Sequence, residues 1–123
     1  MSYNVTRDIE GRPSLTLTGE PPYCHVMPAD TGVGVWLVMA FAVWSAPDTA
    51  AVRIALDAAK HFGGQVNLGL FPFDDPDELR AAPFAIADDG RSPVWGLLRD
   101  GAVSMERTGV LTVDDLVDVI GER

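Results

Sequence analysis

Apolar and polar positions along this chain fall into short, distinct periods. Ser14-Leu15-Thr16-Leu17-Thr18 alternates, which predicts a half-buried strand, and Gly19-Glu20-Pro21-Pro22 breaks it. Val35-Trp36-Leu37-Val38-Met39-Ala40-Phe41-Ala42 is apolar at every position, the pattern of a strand covered on both faces of a parallel sheet. Trp44 to Asp48 then reads as a turn. From Thr49 to Phe62 the period changes: Val52, Leu56, Ala59 and Phe62 recur at helical spacing, and Gly63-Gly64 supplies a stop. Gln65 to Phe71 alternates again, a second parallel-type strand.

Beyond it, Asp75-Pro76 is a helix-start pair, and Pro83 stops the short helix it predicts. Asp88-Asp89-Gly90 is a turn signal. Val94 to Leu98 and Val103 to Thr108 predict a hairpin about Arg99-Asp100-Gly101-Ala102. The last element carries a capping box, Thr112 with Asp115, and Leu111 and Leu116 stand at the two positions of a hydrophobic staple. Val113, Leu116, Val117 and Ile120 form its apolar stripe, and Gly121 closes it. Residues 1–13 are polar and weakly patterned, compatible with a loose arm or a short edge element. Tyr23 to Gly32 carries no clear period, and a short helical turn is compatible with it. Strands alternating with helices and followed by a hairpin predict an α/β domain whose sheet has an antiparallel edge.

Composition narrows this to one domain. The chain has 123 residues, a size at which a single core suffices without staples. The net charge of −9 lacks the basic footprint of a nucleic-acid binder, and repels phosphates and anionic lipid headgroups. The same field favours basic peptides or proteins, although acidic charge is also an ordinary solubility device. The apolar run from Val33 to Trp44 is too short for a bilayer span, and no signal peptide is visible at the start, so a cytoplasmic protein is expected. The excess of arginine over lysine and the abundance of Ala, Gly, Val and Asp suggest a bacterial, GC-rich origin. With Cys24 alone there is no intramolecular disulfide. An exposed Cys24 would still be able to link two chains under oxidation. No zinc or calcium spacing is present around Cys24-His25 or Asp74-Asp75-Pro76-Asp77-Glu78, and no cofactor or metal is expected.

The stretch Trp44-Ser45-Ala46-Pro47-Asp48, placed between a buried strand and a helix, resembles the Trp-Cys-Gly-Pro-Cys junction of thioredoxins. Ser92-Pro93, followed by an apolar strand and Asp100-Gly101, is similar to the family's cis-proline segment and hairpin. Gly109 matches a glycine beside its substrate groove. The resemblance runs from Val35 to Gly121 and implies a thioredoxin-like α/β fold, a mixed central sheet flanked by helices. The N-terminal third departs from it, because the family's first helix is not visible.

The site departs further than the fold. Ser45 and Asp48 stand at the two cysteine positions, and Met39 at the place of the family's buried acid. Thiol–disulfide exchange needs a thiolate to attack and a second thiol to resolve the mixed disulfide. A serine and an aspartate supply neither, so no catalytic residue and no enzyme activity are expected. Ser45 as a hydrolytic nucleophile would need a base, and nothing places His25 or His61 beside it. Helix capping is its simpler role. Asp48 suits the first helical turn, where the dipole favours its charge; alternatively it shows that charge to a basic partner. Trp44 is either an interface anchor or a partly buried core residue.

What the resemblance leaves is a groove framed by Trp44, Ser45, Ala46, Pro47, Asp48, Ser92, Pro93 and Gly109. The expected role is an accessory or chaperone-like subunit that binds a protein or peptide there. It is similar in kind to acidic thioredoxin-like proteins that lack redox cysteines and act as maturation chaperones, without a motif tying it to them. The alternatives are a structural subunit joined through another surface, and an enzyme with repurposed chemistry at Ser45 or Cys24.

Overall fold

The computed structural model describes residues 2–27, 29–75, 78 and 92–121. In chain order the elements are β1 (Ser2–Arg7), β2 (Pro13–Thr18), β3 (Cys24–Val26), β4 (Val35–Ala42), α1 (Ala46–His61), β5 (Val66–Phe73), β6 (Val94–Arg99), β7 (Ala102–Thr108) and α2 (Val113–Gly121). Five strands form one mixed sheet in the order β3-β5-β4-β6-β7. β5 runs parallel to β3 and β4; β6 runs antiparallel to β4 and β7.

β4 is central, and its continuous apolar run is explained by burial on both faces. Leu37, Met39 and Phe41 face one core with Ala51, Ala55, Ala58 and Ala59 of α1 and Leu116 and Ile120 of α2. Trp36, Val38, Ala40 and Ala42 face a second, smaller cluster with Phe73, Val94 and Leu98. The small side chains of α1 let the helix lie close on the sheet. Its C-terminus ends at Gly63 and Gly64, both with positive φ, as the sequence predicts.

α1 begins three residues earlier than the periodicity indicates, at Ala46. Pro47 lies in its first turn, where a missing N–H costs no intrahelical bond. The hairpin β6–β7 turns through Asp100 and Gly101, both with positive φ, the backbone that a two-residue turn between twisted strands requires. The α2 capping box forms as expected: the Thr112 amide donates to Asp115 Oδ2 and the Asp115 amide to Thr112 Oγ1, each at 3.1 Å.

Two N-terminal expectations change. Residues 2–18 form an antiparallel hairpin, with Tyr3 opposite Leu17 and Val5 opposite Leu15. It is a two-stranded sheet of its own, and Tyr3, Val5, Leu15 and Leu17 pack on the α1 side of the core. The possible helical turn after Tyr23 is instead strand β3, held at the sheet edge because the Leu68 amide donates to the Tyr23 carbonyl at 2.8 Å. The short helix expected up to Pro83 lies, apart from Asp75 and Glu78, outside the described residues, as does the Asp88-Asp89-Gly90 turn. No helix among the described residues is long and apolar enough to cross a membrane.

Candidate functional site

The carboxyl ends of β4 and β5, the amino end of α1, and the segments on either side of β6–β7 meet at one end of the sheet. Ala40 pairs with Val94, and Val94 with Thr108, so Ser92-Pro93 and Gly109 lie alongside the exit of β4. The Ser92–Pro93 peptide is cis. The Gly109 amide donates to the Pro93 carbonyl at 2.9 Å, and the Gly109 carbonyl accepts from Trp95 Nε1 at 2.8 Å. Gly109 adopts φ 90°, a left-handed conformation that costs a glycine little. All eight groove residues named from the sequence belong to these converging segments.

Their side chains divide into a structural half and a displayed half. Asp48 is only 2% exposed. Its Oδ2 accepts from the Ala42 amide at 2.8 Å, and its Oδ1 accepts from the Ser45 hydroxyl at 3.2 Å. The carboxylate thereby ties the end of β4 to the first turn of α1. This corrects the reading in which Asp48 shows its charge to a partner. Ser45 is the N-cap residue by position, but its hydroxyl donates to Asp48 instead of accepting a backbone amide. Its capping role is corrected accordingly. Pro93 is buried, and Ser92 and Gly109 are half-buried. Met39 is fully buried in the main core, where a thioether packs without a hydrogen-bond partner.

Trp44, by contrast, is 68% exposed, and Ala46 and Pro47 are exposed beside it. The Trp44 indole N–H donates to the Asp74 carbonyl at 3.0 Å, which pins one edge of the ring while its apolar body faces water. Val110, next to Gly109, is also exposed. The result is an apolar rim around a polar, internally satisfied centre.

Neither histidine stands beside Ser45, whose hydroxyl has the Asp48 carboxylate as its partner. His25 lies on β3 with its ring 5.1 Å from that of Trp36, and His61 ends α1 with its ring 5.2 Å from that of Phe62. The length of α1 puts His61 about 20 Å or more from the site. Cys24 is buried on β3, away from the groove. Burial, and then the Glu20 carboxylate, push its thiol up to about 11, against a reactive role. It borders an open cleft of about 550 Å³ with Leu15, Leu17, Glu20 and His25. Sequence reading did not find this cleft, because β3 has no periodicity of its own. Among the described residues no group of three or more His, Cys, Asp or Glu is placed to hold a metal ion.

No protein-family model matches the sequence, and none of the curated proteins matches it. Solved structures do. Thioredoxin-2, a component of the protein secretion machinery of a malaria parasite, superposes with a TM-score of 0.58 at 19% identity, over 78% of this chain and 90% of that one. A malarial protein gives a TM-score of 0.55 at 22% identity over 71% and 93% of the two chains. The fold is thioredoxin-like. Human ERp44, in a zinc-bound form, matches 79% of this chain with 30% of its own length, at 18% identity and a TM-score of 0.57.

Proposed function

We propose that this protein is a non-catalytic member of the thioredoxin-like fold class that binds a protein or peptide at the groove end of its sheet, as an accessory or chaperone-like subunit. One observation carries the reading: the two positions that would hold redox cysteines hold Ser45 and Asp48, which bond to each other, and Asp48 to the chain, while Trp44 beside them stays exposed. Where thiols would stand there is a strut, with exposed apolar side chains beside it. Exposed aromatic side chains fixed at one edge are favourable anchors, because they bury large area at low entropic cost. The cis Ser92–Pro93 segment lies alongside, with Ser92 half-buried, and an extended peptide laid there would run beside it.

The test is capture from the native lysate by wild type and by a Trp44→Ala, Ala46→Arg double variant. Both substitutions fall on exposed positions, whereas one at Asp48 would break the strut and confound the result. A partner held by wild type and lost by the folded double variant supports groove recognition. A partner held equally by both contradicts it and moves the interface to another surface.

A further inference from the structure

The N-terminal hairpin ends beside the groove. The guanidinium of Arg7, the last residue of β1, forms an ion pair with the Asp74 carboxylate, and the carbonyl of the same Asp74 accepts the Trp44 indole N–H. Farther back along β1, the Tyr3 hydroxyl donates to the Thr49 carbonyl in the first turns of α1 at 3.2 Å, and its ring meets Phe41 edge-on. The hairpin is thus fastened to the same strand ends and helix start that frame the groove.

Its tip is built to hold a shape. Asp8 Oδ1 accepts the amides of Glu10 and Arg12, each at 2.9 Å, and the Asp8 amide donates to the Arg12 carbonyl. On this braced loop Ile9 is fully exposed. Single exposed apolar residues are ordinary. Here, however, three of the five exposed large apolar residues among those described, Ile9, Trp44 and Val110, belong to segments at one end of the sheet. The charge around them is negative. Among the described residues, Asp8, Glu10, Asp74 and Glu78 stand by Ile9 and Trp44 with the guanidiniums of Arg7 and Arg12, which are already turned to Asp74 and Glu10, while Arg107 lies on the Val110 side.

We infer that the hairpin tip, through Ile9, forms one continuous docking surface with Trp44, and that its occupant is a basic peptide segment carrying apolar side chains. The inference rests on the groove reading above and adds a second anchor outside the part of the chain that resembles thioredoxins. The apolar side chains of the peptide cover Ile9 and Trp44, and its cationic groups meet the carboxylates between them.

The test selects a random phage-displayed peptide library on the full chain and measures the recovered peptides by fluorescence anisotropy. The variants are Ile9→Ser, Trp44→Ala and, as a control at the opposite end of the sheet, Val103→Ser, each checked for an unchanged urea midpoint. The expected peptides are net positive and contain apolar residues. They should bind about tenfold more weakly to both Ile9→Ser and Trp44→Ala, and normally to Val103→Ser. Binding that depends on Trp44 but not on Ile9 would overturn the hairpin inference and leave the groove reading standing. Binding that depends on neither, or no recovered peptide, would overturn both. Recovery of acidic peptides would overturn the charge argument.

Discussion

At the scale of single residues, the decisive side chain is Asp48. A buried carboxylate is costly unless it is well bonded, and here it accepts one backbone amide and one hydroxyl. Asp48→Ala leaves the Ala42 amide without its partner and should cost about 1–3 kcal/mol. Asp48→Asn keeps an acceptor oxygen and should cost less. Urea denaturation of the two variants checks the order. Cys24 gives a second expectation. Its pKa rises from the ordinary 9.0 to about 11 in the folded state, because burial disfavours the thiolate. The folded state therefore gains from this group fully below pH 9, and loses that gain as the pH climbs through about 11. Over this window the stability of wild type should fall more steeply than that of Cys24→Ala. Native Cys24 should also react slowly with a thiol reagent near pH 8 and quickly once the chain is unfolded.

At the scale of elements, what was legible in the sequence was what local chemistry determines. β4 announced itself because every position from Val35 to Ala42 is apolar, and it is buried on both faces. α2 announced itself through Thr112 and Asp115. Thr112→Ala removes a cap and should lower stability by about 0.5–2 kcal/mol, readable as a reduced thermal midpoint. The elements that escaped are defined by distant partners. β1 is a strand because Tyr3 and Val5 lie opposite Leu17 and Leu15, across a loop organised by the Asp8 side chain and lacking a two-residue glycine turn. β3 has three residues, too few to show a period, and exists by pairing with Leu68, Gly69 and Leu70. At the site, the segments Trp44–Asp48, Ser92-Pro93 and Gly109 meet at one end of the sheet, but the directions of their side chains were not legible. Nothing in Trp44-Ser45-Ala46-Pro47-Asp48 says that the acid turns inward and the indole outward. That outcome depends on the free Ala42 amide below and the Asp74 carbonyl beside it.

At the scale of the whole molecule, the protein joins a thioredoxin-like sheet to an N-terminal hairpin, and Trp44 and Ile9 expose apolar side chains among its described residues. Without thiols in the groove, wild type should not accelerate the reduction of insulin by dithiothreitol. The Ser45→Cys, Asp48→Cys variant puts both sulfurs back at a helix start, where the dipole favours a thiolate. It should acquire a disulfide detectable by mass after mild oxidation, provided that it folds by circular dichroism. The central claim is that this end of the molecule is where a partner sits. The most direct measurement installs a photo-crosslinking amino acid at Trp44, and in a separate variant at the exposed α2 position Asp118, and irradiates cells of the native host. A partner seated at this end gives a discrete protein adduct from position 44 and none from position 118. An adduct from position 118 with none from position 44 would contradict it.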